Sequence, residues 1–161
     1  MIPAVPKRGI AAALAASLGL AALSAAPAPE YASLSRDKVF VREGPGYDFR
    51  VLWIYRRKDL PVVILTKYDV WRRIEDSSGT IGWVHGAMLS SRRTVVVTAT
   101  HAAKVRDASG PDGKTIAFAQ SGVVAKLEAC EARACEILAS GTEGWIGKQD
   151  IWGVGAGEVF K

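Results

Sequence analysis

The sequence predicts an all-β chain made of two small units in tandem, and three observations predict it. After residue 40 the apolar runs are short and rich in β-branched residues. Proline and glycine turn chemistry recurs between them, the pattern of several short strands rather than helices. The landmarks also repeat at a near-constant offset: Val41 to Val105 is 64 residues, Ile74 to Ile137 is 63 and Trp83 to Trp145 is 62. A repeat of about 60 residues is longer than a solenoid repeat, so each copy is expected to be a small domain of its own.

The N-terminus sets the expected compartment. Residues 1–9 carry Lys7 and Arg8 and no acid, and residues 10–23 are an Ala/Leu-rich run of 14. Ser24, Ala25 and Ala26 follow, ahead of Pro27. That order is a secretory signal peptide. A membrane-spanning helix needs about 20 apolar residues. Residues 1–26 are therefore expected to form a signal helix that meets the membrane only in transit. Both Ala22-Leu23-Ser24 and Ser24-Ala25-Ala26 fit the cleavage site. Removal of the leader leaves about 135 of the 161 residues, periplasmic or secreted. The formal charge of +5 falls to about +3 without Lys7 and Arg8. That mild excess does not point to nucleic acid, which an exported chain does not meet.

The strands follow in order. Lys38-Val39-Phe40-Val41-Arg42 ends at the turn Glu43-Gly44-Pro45-Gly46. Val51-Leu52-Trp53-Ile54-Tyr55 leads to a basic break at Arg56-Arg57-Lys58-Asp59. Pro61 can open the next strand because the first position tolerates a missing N–H. Trp71-Arg72-Arg73-Ile74-Glu75 and Thr80-Ile81-Gly82-Trp83-Val84 complete the first unit around the break Asp76-Ser77-Ser78-Gly79. In the second unit, His101 to Arg106 is followed by the turn Ser109-Gly110-Pro111-Asp112-Gly113, and four further short runs reach Gly144-Trp145-Ile146. The units are placed at 37–91 and 95–153, with polar Ser90-Ser91-Arg92-Arg93-Thr94 between them.

Val41-Arg42-Glu43-Gly44-Pro45-Gly46, Val70-Trp71-Arg72-Arg73-Ile74 and Gly79-Thr80-Ile81-Gly82-Trp83-Val84 resemble, in order and spacing, bacterial Src-homology-3-like (SH3-like) domains. The second copy keeps Val105-Arg106 and Gly141-Thr142-Glu143-Gly144-Trp145-Ile146, but has Ala134 where the first has Trp71. The resemblance implies two small SH3-like β-barrels of about five strands each. It also implies a non-catalytic role: a binding module for cell-wall peptide or glycan, or for an envelope protein. The alternative is a structural or assembly protein of the envelope whose groove is filled and which meets its partner through a sheet edge.

Trp71 and Ile74 are three apart, so in a strand they face opposite sides. With Ile74 inward, Trp71 points out of the core, and by resemblance it lies at the rim of the ligand groove. The candidate ligand-binding residues are Trp71, Tyr47, Phe49, Tyr68 and Arg42. Aromatic residues on a concave surface recognise peptides by flat apolar contact. With Ala134 in place of a tryptophan, the second unit is not expected to share this binding.

Cys130 and Cys135 are an even pair in an exported chain, on either side of a four-residue span able to reverse the chain. A disulfide is expected. It is expected to compensate a second unit that lacks the tryptophan. The pair has no C-x-x-C redox spacing. His85 and His101 stand alone, so no metal site is expected, nor any cofactor. Neither Gly-x-Ser-x-Gly nor His-Glu-x-x-His occurs, and the Gly44-Pro45-Gly46 turn is not a phosphate loop.

Overall fold

A computed structural model describes residues 28–161, and the signal peptide expected over residues 1–26 lies outside the described residues. The first unit contains β1 (Glu30–Leu34), β2 (Val39–Arg42), β3 (Val51–Tyr55), β4 (Pro61–Tyr68), β5 (Trp71–Glu75) and β6 (Ile81–His85), then a 3₁₀ turn at Gly86–Met88 and β7 (Leu89–Ser90). The second repeats the order as β8 (Thr94–Val97), β9 (Ala103–Arg106), β10 (Thr115–Ala119), β11 (Val124–Cys130), β12 (Ala134–Ala139), β13 (Thr142–Gly147), a 3₁₀ turn at Lys148–Asp150 and β14 (Ile151–Trp152).

Each unit is one antiparallel sheet of seven strands. The orders are β3-β2-β6-β5-β4-β1-β7 and β10-β9-β13-β12-β11-β8-β14. The two orders are the same topology twice, which is the all-β tandem the sequence predicts. Two details differ from expectation. There are seven strands per unit rather than about five, and the end strands β3 and β7 do not pair, so hydrogen bonds do not close either sheet into a barrel. The sheet bends instead. β4 pairs with β1 over Pro61–Ile64 and with β5 over Val63–Tyr68, and its register against β5 slips between Ile64 and Thr66. A bulge of this kind increases the local bend of a strand.

β1 is the element the sequence pattern does not announce. Glu-Tyr-Ala-Ser-Leu has little intrinsic strand preference. It is held extended by neighbours on both sides, pairing with β4 from Glu30 to Ser33 and with β7 at Ser33 and Leu34.

Alternation fills the core. Val39 and Val41 on β2, Val62 on β4, Ile74 on β5 and Val84 on β6 are at most 1% exposed and pack with Leu34, Ala32 and Tyr55. The closing Gly-Trp motif has a steric basis. β6 crosses β2 where Arg42 pairs with Trp83. A Cβ on Gly82 would collide with Val41 Cγ1 and lie 3.0 Å from the Arg42 carbonyl oxygen. Gly144 makes the same crossing in the second unit, where an added Cβ would lie 2.7 Å from the Arg106 carbonyl oxygen. The β5–β6 turn is pinned by Asp76, whose carboxylate accepts from Tyr55 Oη at 2.6 Å and from the Ser78 and Thr80 amides at 2.9 Å. Burial acts to raise the Asp76 pKa, but these donors outweigh it and hold the carboxyl below its ordinary value.

The second core is not the sparser of the two. Cys130 and Cys135 are part of it, and Val154 and Phe160 of the C-terminal tail pack against it. The disulfide joins directly facing residues of the β11–β12 hairpin, with Cα atoms 4.1 Å apart. The Cys130 N–H and C=O turn away from Cys135 and pair with Phe160 at 2.9 and 3.0 Å. Cys130 and Cys135 are therefore a narrow, non-hydrogen-bonded pair, whose side chains approach most closely.

The units are in contact. Ser33 and Thr94, both buried, place their hydroxyls 2.7 Å apart. Arg57 Nη1, in the basic break, donates across the junction to the Gly122 carbonyl at 2.7 Å. Arg93 lies over the Tyr31 and Phe160 rings at 5.1 and 5.8 Å. It grips both carboxylate oxygens of Glu158, at 2.5 and 3.1 Å. The span between the units is thus packed rather than an open linker.

Candidate functional site

The β4–β5 hairpin carries the site. Tyr68 and Trp71 are its last facing pair, and Trp71 faces His85 on β6. Directly facing residues share one side of a sheet. Tyr68, Trp71 and His85 therefore form a row across three strands, on the side opposite Ile74. Tyr47, from the turn after β2, lies on this row. Its ring meets Trp71 edge-on at 5.1 Å and stacks on His85 at 6.1 Å and 21°. Trp71 and His85 meet edge-on at 5.5 Å.

Trp71 does point away from the core, but it is not displayed. It is 6% exposed, because Tyr47 and His85 close over it. This corrects the expectation of a tryptophan at an open rim. The accessible aromatic surface belongs to Tyr47, 69% exposed, and Tyr68, 61% exposed.

Arg42 holds the turn that carries Tyr47. Its Nη1 donates to the Tyr47 and Phe49 carbonyls at 2.9 and 2.8 Å, and its guanidinium carbon lies 5.5 Å from the Tyr47 ring centre. Its cation–π partner is Tyr47 rather than the closing Trp83. Phe49 has a different task. Its ring covers the Gly-Pro-Gly turn, where a Cβ on Gly44 would be 2.5 Å from the ring. Four of the five sequence-predicted residues, Arg42, Tyr47, Tyr68 and Trp71, thus form one ledge, and Phe49 braces the turn beneath it.

His85 is the member sequence reasoning missed. Its position two residues after Trp83 was the available signal, since strand alternation puts it on the face away from Val84. Its Nδ1 accepts from the Ala87 amide at 3.1 Å and caps the 3₁₀ turn, which fixes the ring under Tyr47. No group of three or more His, Cys, Asp or Glu among the described residues is placed to hold a metal ion. The residues gathered here make an aromatic surface with one guanidinium, suited to flat contact and hydrogen bonding.

The second unit has the same scaffold with the aromatics removed. Arg106 Nη1 donates to the Pro111 and Gly113 carbonyls at 2.8 and 3.2 Å, as Arg42 does to Tyr47 and Phe49. Pro111 thus takes the place of Tyr47. The pair Ala134–Gly147 takes the place of Trp71–His85, and the disulfide replaces the Lys67–Arg72 pair one rung back from the hairpin end. A cleft of about 490 Å³ opens beside Ala134.

The family described as "Bacterial SH3 domain" matches the sequence twice, over residues 35–91 and 99–153. Among solved structures, NlpC1 from Trichomonas vaginalis is 15% identical with a TM-score of 0.37, the match covering 85% of this chain and 50% of that one. NlpC2 from Trichomonas vaginalis is 13% identical with the same TM-score, covering 80% of this chain and 49% of that one. The chain spans about half the length of these two structures. No curated protein matches.

Proposed function

The chain belongs to the bacterial SH3 domain family, and on that premise we propose that it is an exported, non-catalytic binding module for cell-wall peptide or glycan. The units proposed to carry this role are 37–91, with β1 added to its sheet, and 95–153. The Cys130–Cys135 disulfide supports a site of action in the periplasm or outside the cell, where disulfides persist.

One observation carries the binding reading: Tyr47, on a turn stiffened by Arg42, and Tyr68, at the end of β4, flank a buried Trp71. A rigid aromatic ledge loses little side-chain entropy on contact, and its hydroxyls supply hydrogen-bonding edges. β1 is held between β4 and β7 and pairs with Pro61–Ile64, the end of β4 away from Tyr68. The assembly reading has its own observation. β3 is an edge strand, paired in its sheet with β2 alone, with Val51, Leu52 and Trp53 exposed, and such an edge can accept a further strand from a protein partner.

A pull-down on purified peptidoglycan sacculi, run beside cross-linking to envelope proteins, separates the two. Retention on sacculi that is lost in Tyr47→Ala and Tyr68→Ala, with the melting curve preserved, supports the ledge. No retention, with one envelope protein cross-linked through β3, overturns it in favour of assembly.

A further inference from the structure

We propose that the cleft of the second unit is a separate binding site, for an extended peptide segment that carries an aromatic side chain beside a carboxylate. The chain carries two copies of one scaffold. In the first, the space over the β5–β6 face is filled from within by Trp71, Tyr47 and His85. In the second, register assigns Ala134, Pro111 and Gly147 to those places. The backbone frame is retained while the three rings are gone, and the vacated volume is the cleft of about 490 Å³. A cavity shaped by the loss of aromatic side chains fits an aromatic side chain brought by a partner, and Trp145 supplies apolar wall for it.

The charge of the lining selects the neighbouring group. Lys104, Arg106 and Arg133 line the cleft against one acid, Asp150. Arg106 is occupied by its own loop carbonyls, and Asp150 accepts from Gln149 Nε2 at 3.1 Å. Among the described residues neither Lys104 nor Arg133 has a carboxylate partner. Two uncompensated cations at the edge of an apolar hollow favour a carboxylate placed next to the buried ring. Arg133 and Ala134 lie inside the loop closed by Cys130 and Cys135, so the disulfide fixes this wall. The site is independent of the ledge on the first unit, and either can stand without the other.

The test is ¹⁵N–¹H NMR titration of the oxidised protein with N-acetyl-tryptophan, N-acetyl-tryptophanamide and N-acetyl-alanine. N-acetyl-tryptophan is expected to shift Ala134, Gly147 and the Trp145 indole. The amide, lacking the carboxylate, is expected to bind about tenfold more weakly, and N-acetyl-alanine to show no saturable shift. Arg133→Gln, at an exposed turn position, should weaken N-acetyl-tryptophan by about fivefold without altering the amide. Ala134→Trp should fill the cleft from within and abolish binding, and Tyr47→Ala should leave it unchanged. Equal affinity for acid and amide, shifts mapping outside the second unit, or full binding in Arg133→Gln would each overturn the proposal.

Discussion

Replacing Trp71 with alanine tests the description of the ledge most directly. Burial of the ring under Tyr47 and His85 makes the substitution a stability change as well as a surface change. A fully buried tryptophan cut back to alanine costs about 3–5 kcal/mol, and two edge-on aromatic contacts account for about 0.5–1.5 kcal/mol each of such a loss. Trp71 stands outside the main core cluster, and the exposed Tyr47 can settle into the space it leaves. The lower end applies, about 3 kcal/mol, against the roughly 5–15 kcal/mol of a whole domain. Urea unfolding followed by far-UV circular dichroism reads this directly, because the loss should move the midpoint and leave the slope unchanged. Tyr47→Ala and Tyr68→Ala, at exposed rings, should each cost under about 1 kcal/mol. A loss below about 1 kcal/mol for Trp71→Ala would refute the reasoning: the ring would then be a displayed contact surface and not the support beneath one.

Other expectations follow from the same structure. Gly82→Ala should prevent the β2–β6 crossing, costing several times the ~1 kcal/mol of an average substitution and abolishing cooperative melting of the first unit. Cys130→Ser with Cys135→Ser should lower the second unit by about 2 kcal/mol in the chain-entropy account, since the closed loop is short. Denatured, unreduced protein should show no free thiol. Hydrogen bonding from Arg93 holds the Glu158 carboxyl below its ordinary value. A depressed folded-state pKa contributes stability above the unfolded pKa of about 4.3, and that contribution is lost as the pH falls through the folded value. Glu158→Gln should flatten this acid limb in pH-dependent melts. It should also speed tryptic cleavage after Arg93, whose guanidinium Glu158 now covers; unchanged cleavage would count against the tail as a clamp.

The sequence by itself determined the class of fold, the repeat and the disulfide, and it named Arg42, Tyr47, Tyr68 and Trp71 of the ledge but not His85. These are legible because each is local or periodic. A strand's facing side is set by a period of two, a Gly-Pro-Gly turn by its own backbone, and a two-cysteine hairpin by the length of its loop. Tertiary structure alone decided what covers what. Trp71 faces away from Ile74 as its spacing requires, but only the approach of Tyr47 from a turn 24 positions earlier buries it. β1 is a strand because β4 and β7 hold it on both sides, a cause its five residues do not contain. Residues 154–161 have no pattern of their own, yet Phe160 pairs with Cys130 and Glu158 seizes Arg93 across 65 positions. The loss of Trp71's counterpart at Ala134 is visible as a letter. That it leaves an open cleft edged by Lys104 and Arg133 follows only when three separate strands and a turn are brought together, because a cavity is a property of the space between residues and not of any residue.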